Sequence, residues 1–327
     1  MIGISAIRKK EQGILAIGNH PAILQSILDF DFLSGKSAPS VCAVITEGRK
    51  AQKLFFGTEE ILIPCFPHAS FMPKEIKREV SWILNLQSGR RAFTSTVLFF
   101  DTFPDASGGT IFAENIPEKY ATELIQKFSG KKLILGPASV GFLVPGVLKL
   151  GAIGGIDPEQ IAKSKLTLPG SVAVASTSGG MTNELIRAVV SAGKRISFAA
   201  AVGGDRFPVA SLTDICTLAE DDPDTKALVY FGELGGTDEY EIIELIETKR
   251  LTKPVIAYIA GIIDETFDDH MQFGHAKALV RGQNESARAK RDALRAAGVL
   301  APDTFPEFLN TLTKLPEKPY TGAMPDA

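Results

Sequence analysis

Short apolar runs alternate with longer amphipathic segments along most of this chain, and this alternation restricts the possible folds more than any other feature. GILAIG at 13–18 and SVCAVI at 40–45 are typical of buried strands. Between them, PAILQSILDF at 21–30 is typical of a helix with proline in its first turn. Strands that alternate with helices build βαβ units around a parallel sheet. The sequence therefore predicts an α/β protein with parallel sheets.

The alternation continues in two series. Further strands are predicted at 60–66, 81–86, 109–114 and 131–136 in the first series, and at 171–176, 196–204, 226–233 and 253–261 in the second. Further helices are predicted at 73–80, 117–128, 180–193, 211–222, 238–250 and 284–297. A glycine- and proline-rich stretch from Pro145 to Pro169 separates the series. We therefore predict one domain over 1–165, a second over 166–315, and a polar tail over 316–327.

Composition excludes several classes of protein. Of the 327 residues, 45% are hydrophobic and 22% charged, and the formal net charge of −3 gives no electrostatic reason to bind nucleic acid or an anionic membrane. The longest apolar stretch, Val255 to Ile263, is far shorter than the roughly 20 residues that a membrane span needs. The three cysteines, Cys42, Cys65 and Cys216, match neither a disulfide framework nor a zinc pattern. We expect a soluble cytoplasmic protein with no nucleic-acid or membrane partner.

Four glycine-rich loops follow strands of the second series: Ser176–Met181, Gly203–Asp205, Gly232–Thr237 and Met271–Ala276. Ligands of open parallel sheets bind outside the carboxyl ends of the strands. The first loop opens a helix, so its N–H groups and the helix dipole favour an anion, although such a turn can also serve only to pack the helix on the sheet.

Two side chains in these loops are candidates for chemistry. Glu233 places a carboxylate where substrates of such sheets lie, or it is a solvated loop acid. His275, between two small residues, could be structural, a base, a metal ligand or a phosphoryl carrier. A metal site is poorly supported, because His270 is five residues away and no further ligand pattern accompanies the pair. The basic helix near residue 290 we interpret as a solvated face.

Taken together, the loops and strands resemble a known family. The stretches that carry the resemblance are EILIPCF, IFAENIPE, LILGPASVGFLVPG, KLGAIGG, LPGSVAVASTSGGMTNELIRAV, AVGGDRFP, GELGGTDEY, RLTKPVIAYIAG, QFGHAKA and ALRAAGVLAP. They are similar to the α subunit of succinyl-CoA synthetase, and more closely to the citryl-CoA synthetase small subunit and the matching module of ATP-citrate lyase. The resemblance implies a Rossmann-like CoA-binding domain followed by a flavodoxin-like ligase domain.

The resemblance also implies roles for particular residues. His275 would be phosphorylated during turnover, and Glu233 would hold its other ring nitrogen. Ser178, Gly179 and Gly180 would bind the phosphoryl group. Contacts to CoA would come from Phe66, Ser88, Arg90 and Arg91. Further contacts would come from Ala113, Glu114, Asn115 and Ile116, which belong to a loop that continues to Glu118. The Arg90–Arg91 pair suits the phosphates of CoA, or it is a solvated strand end.

ATP and Mg²⁺ would be bound by an ATP-grasp partner subunit, so the resemblance implies a hetero-oligomer that is active only when complete. Three features favour citrate over succinate: LDFDFL at 28–33, SGG followed by MTNE, and QFGHA. The loop from Ala16 to Pro21 lacks the glycine spacing of succinyl-CoA synthetases, and Thr177 stands where relatives often have arginine. An NAD-dependent enzyme is disfavoured because no GxGxxG follows the first strand.

The resemblance thus implies an ADP-forming acid–thiol ligase that makes citryl-CoA from citrate and CoA through a phosphohistidine. The interpretation that we favour is a citryl-CoA synthetase small subunit. The synthetase module of ATP-citrate lyase and a succinyl-CoA synthetase α subunit stay open as alternatives. A non-catalytic CoA-binding subunit would have no use for Glu233 and His275 together.

Overall fold

The computed structural model describes residues 1–261 and 282–315, and two β-sheets form its framework. The strands of the first sheet are β1 (Gly13–Ile17), β2 (Val41–Ile45), β3 (Ala51–Phe56), β4 (Glu59–Phe66), β5 (Val80–Asn85), β6 (Gly108–Ile111) and β7 (Leu133–Leu135). Those of the second are β8 (Gly141–Val144), β9 (Leu148–Gly151), β10 (Val172–Ser176), β11 (Ile196–Ala201), β12 (Ala227–Glu233) and β13 (Val255–Ala260).

The first sheet has the order β3-β4-β2-β1-β5-β6-β7. Every pair in it is parallel except β3 with β4, which form an antiparallel edge. All five residues of β1 are buried, because helices cover both faces of the central strands. The continuous apolar runs of the sequence are therefore central parallel strands, and the predicted α/β class is confirmed.

The second sheet has the order β13-β12-β10-β11-β8-β9. Its first four strands are mutually parallel, whereas β8 and β9 form an antiparallel hairpin that pairs with β11. The turn of this hairpin and β9 lie in the glycine- and proline-rich stretch from Pro145 to Pro169, and β8 immediately precedes that stretch. The hairpin precedes residue 165, so the second sheet takes two strands from before the predicted domain boundary. The boundary itself stays a prediction.

Helices cover the two sheets. They are α1 (Ile4–Arg8), α2 (Pro21–Leu33), α3 (Lys74–Glu79), α4 (Gly89–Thr102), α5 (Glu118–Phe128), α6 (Pro158–Lys163), α7 (Gly179–Ser191), α8 (Leu212–Asp221), α9 (Glu239–Glu247), α10 (Ala287–Ala296) and α11 (Phe305–Leu312). Within residues 1–261 and 282–315, no helix is long and apolar enough to cross a membrane. Ring contacts join the sheets, since Phe142 of β8 lies 6.1 Å, centroid to centroid, from both Trp82 of β5 and Phe198 of β11.

A buried lysine also lies between the two halves of the chain. Lys149 of β9 is fully buried, and its Nζ donates to Ser26 Oγ of α2 at 2.8 Å and to the Gly151 carbonyl at 2.7 Å. Burial lowers the pKa of Lys149 to about 7, an effect that the nearby carboxylates of Asp31 and Asp29 oppose. An ionisable group with a perturbed pKa is thus part of the packing of α2 on the second sheet.

Candidate functional site

The carboxyl ends of the four parallel strands lie side by side at one edge of the second sheet. Ser176, at the end of β10, pairs with Ala201 of β11 and with Phe231 of β12. Glu233, at the end of β12, pairs with Ala260 of β13. The predicted loops after β10, β11 and β12 therefore begin at neighbouring positions of one edge, where open parallel sheets bind ligands.

The turn from β10 into α7 is shaped by two serines. Ser178 is the N-cap of α7, and its side chain accepts a hydrogen bond from the Met181 N–H at 3.4 Å. Ser176 Oγ accepts from the Ser178 N–H at 2.9 Å. The first N–H groups of a helix have no intrahelical acceptor, and the cap satisfies only one of them. Gly179 and Gly180 therefore present main-chain donors at the positive end of a 13-residue helix.

The two glycines of this turn differ in their surroundings. A side chain at Gly179 would collide with Val140, whereas a Cβ at Gly180 would have no heavy atom within 4 Å. Gly179 therefore packs closely against the rest of the protein, and open space adjoins Gly180. An anion can approach the helix N-terminus from the Gly180 side.

Thr177 carries an unsatisfied hydroxyl in the same turn. The residue is only 5% exposed, and its Oγ1 is buried without a hydrogen-bond partner in the part of the chain that the structure describes. A buried hydroxyl without a partner costs free energy. The sequence identified Thr177 only as a departure from the arginine of relatives.

The loop after β12 is held by its main chain. The Leu234 N–H donates to the Ala260 carbonyl at 3.0 Å, and the Gly235 N–H donates to the Glu285 carbonyl at 2.9 Å. Gly235 has φ of 82°, in the left-handed region that favours glycine. Glu233 itself is half-buried. The chain thus fixes the backbone on either side of the candidate carboxylate.

A buried lysine lies beneath this loop. Lys290 Nζ donates to the carbonyl oxygens of Glu233 at 2.8 Å and Gly235 at 2.7 Å, and it lies 2.7 Å from the Glu239 carboxylate. The Tyr230 hydroxyl donates to Glu239 Oε1 at 3.1 Å. Burial raises the pKa of Tyr230 well above its ordinary value, so the phenol stays a protonated donor. Burial also raises the pKa of Glu239, and Lys290 opposes this shift.

The interpretation of the basic helix near residue 290 as a solvated face is wrong for two of its residues. Lys290 is 1% exposed and Arg291 is 4% exposed. Ala287 and Leu294 of the same helix are also buried, so the buried stripe has the spacing i, i+3, i+4, i+7. This spacing could have predicted a buried helix face, but two of the four residues are cationic, so the hydrophobic pattern is not evident in the sequence.

The predicted phosphohistidine, His275, lies outside the described residues, as does the whole loop Met271–Ala276. In the sequence this loop follows β13, whose last residue, Ala260, pairs with Glu233. The role of His275 stays a prediction.

The predicted CoA contacts lie at the corresponding edge of the first sheet. Phe66 ends β4, Ser88 is the N-cap of α4 after β5, and residues 113–116 follow β6. These strands run in the same direction, so their carboxyl ends share one edge. A Cβ at Gly89 would lie 3.0 Å from the Glu114 carbonyl oxygen. The start of α4 and the loop 113–116 are therefore in close contact.

Arg90 and Arg91 are not at a strand end. Both are exposed and lie in the first turn of α4, immediately after the N-cap Ser88. Two guanidinium groups here add to the positive end of a 14-residue helix. Exposed cations at a helix N-terminus suit phosphate groups better than a strand end would.

One contact joins the two sheet edges and could not be predicted from the sequence. The Asp205 carboxylate, in the loop after β11, accepts from the N–H groups of Asn115 and Ile116, at 3.3 Å each. Arg206 also pairs with Glu118 at 3.3 Å. Asn115 has φ of 56°, a left-handed conformation that asparagine tolerates. The loop 113–116, predicted to bind CoA, is thus held by a loop of the second sheet.

Comparison with known proteins identifies relatives of this chain. Residues 175–300 match the family model described as CoA-ligase. The probable ATP-citrate synthase subunit 1 of Schizosaccharomyces pombe is 37% identical over 299 residues, which cover 90% of this chain and 48% of the relative. The chain therefore spans about half the length of this curated relative.

Two solved structures share the fold. ATP citrate lyase from Methanothrix soehngenii, in complex with citrate and coenzyme A, superposes with a TM-score of 0.87 at 30% identity, over 97% of this chain and 53% of that one. A variant of ATP citrate lyase from Methanosaeta concilii, in complex with (3S)-citryl-CoA, gives a TM-score of 0.88 at 30% identity, with the same coverage.

Proposed function

The chain belongs to the CoA-ligase family, and from this premise we propose that it is the CoA-binding, phosphohistidine-bearing part of an enzyme that forms citryl-CoA from citrate, CoA and ATP. One observation carries the proposal. Glu233 ends β12, and the open N-terminus of α7 follows the neighbouring strand β10, so both lie at one edge of the sheet. The solved relatives, whose complexes contain citrate with CoA or citryl-CoA, support the choice of substrates.

The proposed reaction is divided between this chain and a partner. An ATP-grasp subunit supplies ATP and Mg²⁺, as the name "subunit 1" of the fission-yeast relative supports by implying a second subunit. His275 attacks the γ-phosphorus of ATP, and ADP leaves. A citrate carboxylate then takes the phosphoryl group and becomes an acyl phosphate. This activation is needed because a free carboxylate is a poor acyl donor. The CoA thiolate attacks the acyl carbon, and phosphate leaves.

The residues of this chain have separate tasks in that sequence. Glu233 accepts the N–H of one ring nitrogen of His275, which leaves the other nitrogen free to carry the phosphoryl group. The N–H groups of Gly179 and Gly180 and the dipole of α7 stabilise the anionic phosphohistidine. Arg90 and Arg91 pair with the phosphates of CoA.

Phosphorylation of His275 is tested with γ-labelled ATP, Mg²⁺ and the ATP-grasp partner. We expect acid-labile label on the wild-type chain and none on His275→Ala. His68→Ala is the matched control, because His68 is exposed and bonds only locally to Ser70, so it should keep the full label. Equal label on the His275→Ala and wild-type chains would refute the proposal.

A second candidate is the synthetase module of a complete ATP-citrate lyase, which the name of the fission-yeast relative favours. The two candidates differ in product. Cleavage of citryl-CoA needs acid–base groups that polarise its hydroxyl, and in the family these come from a citrate-synthase-like domain. With the native enzyme purified from its source, we expect citryl-CoA to accumulate. Steady oxaloacetate from that enzyme, detected by coupled malate dehydrogenase without added lyase, would favour the second candidate.

A further inference from the structure

The loop that carries Glu233 rests on a buried ion pair that the proposed reaction does not use. The side chains of Lys290 and Glu239 are 1% and 3% exposed. Lys290 Nζ donates hydrogen bonds to two acceptors, the carbonyl oxygens of Glu233 and Gly235, and forms an ion pair with Glu239 Oε2 at 2.7 Å. All three of these contacts of the ammonium group are to protein atoms.

Glu239 contacts the same loop from another side. A Cβ at Gly232 would collide with Glu239 Oε1 and would lie 2.8 Å from a ring carbon of Tyr230. The main chain just before Glu233 therefore packs directly on the Glu239 carboxylate, whose orientation the Tyr230 hydroxyl fixes. Contacts from Glu239 and Lys290 thus fix the backbone at two successive residues, Gly232 and Glu233.

Stability alone does not require such a pair. Removing two charges from water costs several kcal/mol per ion, and well-packed apolar residues of similar volume often give equal or greater stability. Apolar side chains, however, could not bond to the carbonyl oxygens of Glu233 and Gly235. The feature specific to the ion pair is that it fixes the position of the main chain that carries Glu233.

We propose that Lys290 and Glu239 are positioning residues that hold the Glu233 carboxylate where it can accept the ring N–H of the phosphorylated histidine. The proposal rests on the proposed function and extends it to two residues that lie outside the catalytic loops. Groups that orient a residue in contact with the reacting group typically change activity 10- to 100-fold when removed, and small misplacements have effects of similar size.

A double-mutant cycle tests the proposal with the reconstituted enzyme. The rate of phosphoenzyme formation is measured by rapid quench for wild type, Glu233→Gln, Lys290→Met and the double variant. We expect each single variant to lower the rate about 10- to 100-fold with the KM for ATP unchanged, because ATP binds to the partner. We expect the double variant to be no slower than the slower single variant, because Lys290 acts through Glu233.

Lys253→Met is the matched control. Lys253 Nζ, like that of Lys290, contacts three oxygens: it donates to the carbonyls of Ala219, Glu220 and Asp222 at 2.6–2.7 Å. It precedes β13 and so lies at the opposite edge of the sheet from Glu233. Its loss removes the same kind of contacts without touching the loop, so we expect the wild-type rate of phosphorylation.

Thermal unfolding shows which variants are folded, and Lys290→Arg replaces Lys290→Met if the latter is not. Arginine keeps the charge opposite Glu239, but its planar fork cannot reproduce the three contacts of the compact ammonium group. Wild-type phosphorylation rates in the folded Lys290 variant, or multiplicative losses in the double variant, would overturn the proposal. A Glu233→Gln enzyme with the wild-type rate would instead refute the role that the proposed function gives to Glu233.

Discussion

Lys149 makes the stability of this protein depend on pH, and replacing it with methionine should remove that dependence. The lysine is fully buried between α2 and β9, and burial lowers its pKa from 10.5 to about 7. Methionine has a similar length and no charge, so Lys149→Met keeps most of the packing. The variant lacks the hydrogen bonds to Ser26 and Gly151 at every pH, so their loss contributes a constant to the free energy of unfolding.

The sign and size of the effect follow from proton linkage. Below pH 7 both the folded and the unfolded chain protonate Lys149, and the folded state bears the full cost of the buried charge. Between pH 7 and 10.5 the unfolded chain binds one more proton than the folded chain, so the free energy of unfolding rises with pH. The difference between the two pKa values corresponds to about 5 kcal/mol, of which roughly half is gained between pH 6 and 9.

Urea unfolding at pH 6, 7, 8 and 9 measures this term as the difference between wild type and Lys149→Met. Lys127→Met is the control, because Lys127 is exposed on α5. The range stops at pH 9 because two cysteine thiols add a pH dependence of their own at higher pH. Burial raises the pKa of Cys42 and Cys216 to about 12 in the folded protein. The thiols therefore ionise first in the unfolded chain, which lowers the free energy of unfolding. A difference between wild type and Lys149→Met that is constant across the range would refute the reasoning.

Three further predictions concern the site and the thiols. Thr177→Val should raise the free energy of unfolding by about 1 kcal/mol, because it removes a buried hydroxyl that has no partner among the described residues; a lower thermal midpoint would contradict this. Arg90→Gln and Arg91→Gln should each weaken CoA binding about 10-fold in calorimetry, most clearly at low salt, with no change in thermal midpoint. Cys42 and Cys216 should resist iodoacetamide at pH 8 until the protein unfolds, as mass spectrometry would show.

The sequence predicts best those strands that are buried on both faces of the sheet. The strands at 13–18 and 171–176 are continuous apolar runs, and in the structure β1 and β10 are buried along their whole length. Helices with clear start and stop residues, such as α7 after Ser178, also lie within a few residues of their predicted bounds.

Elements that depend on distant partners were missed. The hairpin of β8 and β9 contains a charged residue, Lys149, and adjoins glycine and proline, so its local pattern is that of a connection. Its strands form because β11 offers an edge, and sequence periodicity does not report such an edge. For a similar reason, helix α4 is not predicted. Many of its residues are threonine, valine or phenylalanine, which locally favour strands. Its buried residues, among them Ala92 and Phe99, pack into the core of the first sheet.

The same distinction applies to the residues of the candidate site. Glu233 and the turn Ser178–Gly180 could be located because glycine-rich loops after strands mark one edge of a parallel sheet. Lys290 and Asp205 could not, because each acts on main-chain atoms of a remote loop. Main-chain acceptors and donors are present at every residue, so such contacts leave no sequence signature.

The hairpin of β8 and β9 has a consequence for how the chain folds during synthesis. Chains emerge from the ribosome beginning at the N-terminus, and domains tend to fold as units in that order. β8 and β9 therefore emerge together with the end of the first sheet but before β10 and β11. Until β11 arrives, β8 exposes a strand edge that can pair with other chains. A pause after residue 151 has emerged from the ribosome, but before residue 196 has, should therefore increase aggregation of the nascent protein more than a pause after residue 201 has emerged.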